Sequence, residues 1–385
     1  MADVKRMTVI HIVPKWVLGG GTIYLSNLLK NSAERSNLFR HIVICGSSRS
    51  SGPKLPEKVE FISLNYFCLS GVVALYNFFK ENAVQCIHCH GRNTLPVAML
   101  GLGMKIPVIM QFHGYYGIDR DDNHVKRLLS KIWDWIGVSI SKAIVTTSEA
   151  ESGRVQSLWP TQAQKNVEIL TRVSVEINPQ VAMNQATVEI TQRRSLGRVQ
   201  IISLGSHGLH QKGLDRLLSL CADLQRRGIR CDINVFFRKE RVAEWSELEE
   251  AISLQNLRNV HLYPAIEDVW SHIISCSDAL ISTSRFEGRN MAIQEAFHLG
   301  MPVIATDCIG QSELLSPAWA FVLNNDCVSA WADVVATVMD VSVRAESAKA
   351  AELQVTKWGG IDCLQKEFSF LYSSTRPGVS FDQHR

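Results

Sequence analysis

The chain has 385 residues, 46% hydrophobic and 20% charged, which supplies two or three buried cores and leaves no signature of disorder. Its longest apolar runs, 71–79 and 95–104, fall short of the ~18–20 residues that cross a bilayer. Ten cysteines without regular spacing read as reduced thiols, so membrane spans, collagen, coiled coil and a disulfide scaffold are excluded.

The apolar run that Pro14 closes is too short for a secretory leader, and a cytoplasmic chain is expected. The net charge of +3 is unevenly spread. Residues 1–185 hold 20 basic against 13 acidic groups, while 186–385 carry a net −4. Such asymmetry points the first half toward something anionic, although ordinary surface variation explains it equally well.

Strands are predicted over 8–13, 41–45, 59–64, 85–90, 108–112 and 143–147, with helical patterns such as 22–30 and 72–81 between them. Alternation of this kind predicts a parallel sheet covered on both faces. The polar stretch 178–199, with Pro179 and Arg193-Arg194, predicts a linker. A second alternation follows, with strands over 199–205, 232–237, 260–263, 279–283 and 302–306. The expected architecture is α/β, with two doubly wound, Rossmann-like parallel-sheet domains facing each other across a cleft. Residues 1–178 form the first, 179–198 the linker, 199–360 the second, and 361–385 a C-terminal helix and tail. Ligands of such sheets bind at the carboxyl ends of the strands.

Four segments at such ends carry candidate chemistry. Gly19-Gly20-Gly21 precedes a helix, where a bare backbone and free N–H groups admit an anion, although a tight turn explains the glycines equally well. Phe112-His113-Gly114 places an imidazole at a strand end, able to donate to a sugar hydroxyl or to a developing negative charge. Lys212-Gly213 sets a cation before the predicted helix 214–227, suited to a phosphate.

The most specific segment runs from Arg285 to Thr306. Glu287 stands in a loop and Glu295 eight residues on, close to two helical turns, so both carboxylates can address one end of the sheet. Carboxylates accept hydrogen bonds from vicinal diols, and the N–H groups of 288–291 suit phosphate or sugar oxygens.

Glu-Gly, seven residues between glutamates, Glu-Ala and then Gly-x-Pro-Val-Ile-Ala-Thr resemble the signature of the retaining GT-B glycosyltransferases of family 4. The likeness extends to the glycine tract, His113-Gly114, Ser148, Lys212-Gly213, Gly310…Glu313 and Phe368…Tyr372. In the family the last of these belongs to a helix that returns to the N-terminal domain. The resemblance implies that Glu287 binds donor-sugar hydroxyls and Glu295 the ribose. It implies that backbone amides of Gly288, Arg289, Asn290 and Met291 hold the sugar and diphosphate, and that Lys212 neutralises the leaving diphosphate. Gly20 and Gly21 would lie by the diphosphate and His113 by the reacting sugar, with the acceptor on the N-terminal domain. Retention in the family is explained by same-face attack, so Glu287 is not expected to be a nucleophile. The donor is expected to be a UDP- or GDP-type nucleotide sugar, with no cofactor and no metal required.

The chain departs from the family at Ser206, where an Arg is usual, with His207, His210 or Arg289 as replacements. Arg238-Lys239-Glu240 stands where a glycine-rich turn is usual, and Thr171-Arg172 where Asn-Gly is. Asp119-Arg120-Asp121 spells a metal motif of another glycosyltransferase fold but lies too far beyond its strand. Cys86-x-His88-Cys89-His90 offers zinc-type ligands, but strand alternation sends them to opposite faces. The segment 124–142 mixes Lys126, Arg127, Lys131 and Lys142 with Trp133, Trp135 and aliphatic residues, as membrane-surface helices do. A helix that buries its apolar side reads the same way.

The expected function is hexosyl transfer to a saccharide or lipid-linked saccharide in surface polysaccharide or lipopolysaccharide assembly, at the inner face of the cytoplasmic membrane. No nucleic-acid partner is expected. The alternative is a weakly active or inactive sugar-nucleotide-binding partner subunit, motivated by Ser206.

Overall fold

The computed structural model describes residues 6–17, 19–35, 38–47, 50–113, 124–169, 175, 177–205, 209–266, 268–325, 327–358 and 361–375. It forms two compact units, Met1–Arg172 with Gly360–Arg385, and Val173–Gly359.

The first unit is built on a seven-stranded sheet in which every pairing is parallel. Its order is Glu60–Ser63, Phe39–Cys45, Met7–Val13, Cys86–His90, Val108–Gln111, Ala143–Thr146 and Asn166–Glu168. Met7–Val13 is buried along its whole length, as its continuous apolar run requires of a strand covered on both faces. Glu60–Ser63 is the edge strand, mostly exposed and shorter than the run 59–64 suggested. Ile10, Ile12, Ile42, Ile44, Ile87 and Cys89 point to one face and pack with Leu75, Phe79 and Leu95. The residues between them turn to the other face, a consequence of the two-residue period.

Helix Gly20–Arg35 takes in the glycine tract instead of starting at Thr22. Thr22 Oγ1 donates to the Gly19 carbonyl at 2.9 Å and so fixes the first turn. The C-terminal helix Ile361–Ser374 lies on this unit. Phe368, Leu371 and Tyr372 are buried there, and the Phe368 ring centroid lies 6.4 Å from that of Tyr24. Lys142 Nζ donates to the Thr375 carbonyl at 3.2 Å.

The second unit has a six-stranded parallel sheet, ordered Val260–Pro264, Cys231–Phe237, Val199–Gly205, Ala279–Ser282, Val303–Thr306 and Phe321–Leu323. Helix Leu214–Arg226 covers one face with Leu214, Leu217, Leu218, Cys221 and Leu224, a stripe at three- and four-residue spacing.

The predicted linker needs correction. Residues 185–195 form a helix, Gln185–Ser195, capped by Asn184, whose Oδ1 accepts from the Thr187 amide at 2.9 Å. It buries Ala186 and Ile190, and Arg194 bonds the Ser275 carbonyl at 2.8 Å and Asp278 at 3.0 Å. One isoleucine among Thr, Gln and Arg shows no apolar stripe, so only tertiary packing reveals this helix.

Candidate active site

In the second unit, strand Ala279–Ser282 runs through a polar loop into helix Met291–His298. Two glycine turns press on that loop. Gly213 has φ +62°, and a Cβ added there would sit 2.1 Å from the Thr283 carbonyl oxygen. Gly310 has φ +78°, and its Cβ would sit 1.9 Å from the Glu287 carbonyl oxygen. Neither position admits another residue without moving the loop. Thr283 Oγ1 donates to the Lys212 and Gly213 carbonyls at 3.1 Å, and the Glu287 amide donates to Ile309 O at 2.9 Å. Arg285 clamps the base of the loop with two bonds to Asp215, at 2.7 and 2.6 Å. Lys212 ends the short helix Leu209–Lys212.

This scaffold brings Lys212 to Glu287. Lys212 Nζ donates to Glu287 Oε1 at 2.7 Å, and Ser284 Oγ donates to the same oxygen at 2.7 Å. Their side chains keep only 16% and 10% exposure, so the ion pair is held largely out of water.

Glu287 precedes the helix, and Glu295 is the fifth residue within it, so the two carboxylates do not share a helical face. Different elements place them. Glu295 Oε2 accepts from Trp270 Nε1 at 2.8 Å, and burial raises its pKa above the ordinary carboxylate range.

Asn290 caps the helix, its Oδ1 accepting from the Ile293 amide at 3.4 Å and its Nδ2 donating to Gln311 Oε1 at 2.7 Å. The Asn290 side chain is thereby committed to the fold. The first-turn amides at Met291 and Ala292 have no acceptor within the helix and carry the positive end of its dipole. Arg289 does not stand as a loose replacement cation. It is buried against Glu313 at 3.0 Å, with its guanidinium 5.9 Å from the Trp358 ring centroid. Lys239 Nζ lies 5.8 Å from the Trp245 ring centroid.

In the first unit, Gly20 and Gly21 open helix Gly20–Arg35. Gly21 passes close to His113, since a Cβ there would lie 3.7 Å from the imidazole Cγ. The Tyr24 ring meets His113 edge-on at 5.8 Å. His113 keeps solvent access, its Nε2 lies 3.3 Å from His90 Nδ1, and the surrounding protein lowers its pKa by desolvation.

Ser206, His207, Gly114, Thr171-Arg172 and Asp119-Arg120-Asp121 lie outside the described residues. Sequence reasoning missed Ser284, Arg285 and Trp270 as partners in this site. Trp270 stands 25 residues from Glu295 and belongs to no motif, so only the fold reveals it.

The profile of the family described as glycosyl transferases group 1 matches residues 198–340, and that of glycosyltransferase family 4 matches residues 18–171. Among solved structures, the chain resembles HepE from Anabaena in complex with UDP and glucose, at TM-score 0.75 and 15% identity, covering 96% of this chain and 100% of that one. It resembles sucrose-phosphate synthase from Thermosynechococcus elongatus at TM-score 0.77 and 14% identity, covering 96% and 99%. WaaG, a glycosyltransferase involved in lipopolysaccharide biosynthesis, aligns at TM-score 0.72 and 15% identity, covering 95% and 99%. No curated protein sequence gives a significant match. The fold is that of the GT-B glycosyltransferases. The chain belongs to the group 1, family 4 glycosyltransferases.

Proposed function

We propose that the protein is a retaining hexosyltransferase that uses a UDP- or GDP-type nucleotide sugar and glycosylates a saccharide or lipid-linked saccharide acceptor. The observation that carries this reading is the Lys212–Glu287–Ser284 cluster beside the start of helix Met291–His298, with Glu295 one turn further on. The complex of HepE with UDP and glucose supports the donor class. WaaG supports an acceptor in surface-polysaccharide or lipopolysaccharide assembly.

The difficult step separates a diphosphate from a cationic sugar, and fixed positive groups at the leaving oxygens lower its barrier. Lys212 and the first-turn amides supply that charge, so the diphosphate needs no metal at the reacting centre. Glu287 accepts from sugar hydroxyls through the oxygen that Lys212 and Ser284 do not hold, and Glu295 accepts from the ribose diol. Because Lys212 and Ser284 already engage the Glu287 carboxylate, it is a poor nucleophile and is assigned to binding. In the first unit, His113 is assigned to a saccharide hydroxyl and the Gly20 and Gly21 amides to an anionic group.

Proton NMR of reaction mixtures tests the stereochemistry. An α-linked donor is expected to give an α-linked product, and a β-linked product would rule out retention. A second reading rests on Arg289, which Glu313 neutralises: a nucleotide-sugar-binding partner subunit with little turnover. Donor binding without donor consumption would favour it.

No described helix is long and apolar enough to cross a membrane. Helix His124–Ile140 nevertheless exposes Val125, Leu128, Leu129, Ile132 and Trp135, all on one stripe, while Val138 is buried. The apolar side is thus open to solvent over most of its length, and Lys131 lies at its edge. A stripe of this kind beside cations suits an anionic bilayer surface, and we assign it to peripheral contact at the cytoplasmic face. Sedimentation with anionic vesicles at low salt is expected to carry the protein down, and Leu128→Ser/Trp135→Ser to leave it in solution. Wild-type protein that stays in solution would contradict this assignment.

A further inference from the structure

The first unit gathers histidines on one face of its sheet. His11 lies opposite His88 in register, and His90 lies opposite Gln111. His41 stands on the neighbouring strand, opposite Val9, and so falls on the same face as His11. All five side chains are buried, with His11, His88 and Gln111 at 0% exposure.

The candidate ligand atoms of His11, His88 and His90 all lie within 4.8 Å of one another. His11 Nδ1 and His90 Nε2 are 3.2 Å apart. Neighbouring ligands of a tetrahedral zinc ion, with Zn–N near 2.0–2.1 Å, are separated by about 3.3 Å.

The other nitrogen of each ring has its own partner. His11 Nε2 is 3.0 Å from His41 Nδ1, His90 Nδ1 is 3.3 Å from His113 Nε2, and His88 Nδ1 is 2.9 Å from the Tyr372 hydroxyl. This is the arrangement that fixes tautomer and ring orientation around a ligated metal. On the inner side, His88 Nε2 is buried without a hydrogen-bond partner, as are both amide atoms of Gln111. Leaving such atoms unmatched in a dry core is unfavourable. A bound cation satisfies the nitrogen directly, and the Gln111 carbonyl is a ready oxygen donor beside it.

We propose that His11, His88 and His90 form a buried structural site for one divalent transition-metal ion of the zinc class. Strand alternation separates Cys89 from this face, so the ligand set is not the Cys-His run read along one strand but a meeting of two strands. The ion lies in the core beneath His113, and no step of glycosyl transfer passes through it. Through Tyr372 it also ties the C-terminal helix to the sheet.

The test uses the full chain stripped of metal with a chelator. Cobalt(II) is expected to bind at one equivalent and give the visible absorption of a tetrahedral nitrogen site, and zinc is expected to displace it. His88→Gln should abolish that spectrum. Tyr372→Phe removes only the hydroxyl and should weaken zinc affinity ~10- to 100-fold in a competition titration, with unchanged circular dichroism. A stripped chain that gives no such spectrum would overturn the proposal, as would a His88→Gln variant that binds like wild type. Either result leaves a chain of hydrogen-bonded neutral imidazoles.

Discussion

Lys212→Ala is expected to lower the transfer rate by about 10²- to 10³-fold, the loss seen when one fixed charge or donor is removed from a developing oxyanion. The same change should also destabilise the fold, because among the described residues Glu287 would remain buried with only Ser284 as a partner. Breaking one side of a buried pair costs roughly 3–5 kcal/mol. The two effects can be separated. Lys212→Met/Glu287→Gln removes both charges while keeping the volume, and should regain most of the lost melting temperature. Its activity should stay as low as that of the single variant. Steady-state rates and thermal unfolding on the three proteins check this. Recovery of activity together with stability would show that Lys212 acts only through the fold.

Glu295→Gln should separate binding from stability in the opposite sense. Burial raises the Glu295 pKa, so the charged form is the one the folded protein disfavours. Wild type therefore loses stability as pH rises through that raised pKa, and the glutamine variant does not. At neutral pH Glu295→Gln should melt at or above the wild-type temperature, and below the pKa of an unfolded carboxyl that advantage should vanish. Trp270 Nε1 can still donate to the amide oxygen, so the local packing survives. Donor affinity should nevertheless fall about 10- to 100-fold, the worth of losing a charged acceptor to a ribose diol. For wild type, affinity should weaken as pH drops through the raised pKa. Calorimetric titration and melting curves over a pH series check both signs.

Much of the scaffold could be read from the chain, and the reasons are specific. Runs such as 7–13 and 199–205 are buried on both faces, so strand and core signals coincide. Gly213 and Gly310 stood out in the sequence only as parts of candidate segments, because their role against Thr283 and Glu287 depends on contacts across 70 and 23 positions. Helix Gln185–Ser195 was hidden because Ile190 is its one fully buried aliphatic side chain. Arg289 looked like a spare cation for the diphosphate until the fold set Glu313 against it. The histidines were visible one by one. Their meeting follows from the register between Met7–Val13 and Cys86–His90, which no local pattern encodes.

The central claim is that the second unit binds a nucleotide-sugar donor through Lys212, Glu287 and Glu295. The most direct test is a thermal-shift series on wild type and Glu295→Gln with UDP, GDP, ADP and their common sugar conjugates. At a ligand concentration 100-fold above the dissociation constant, binding stabilises the fold by ~2.7 kcal/mol, a readily measured shift. Stabilisation of wild type by a UDP- or GDP-type ligand, largely lost in Glu295→Gln, is the predicted result. Stabilisation by none of these ligands, or equal stabilisation of both proteins, would contradict it.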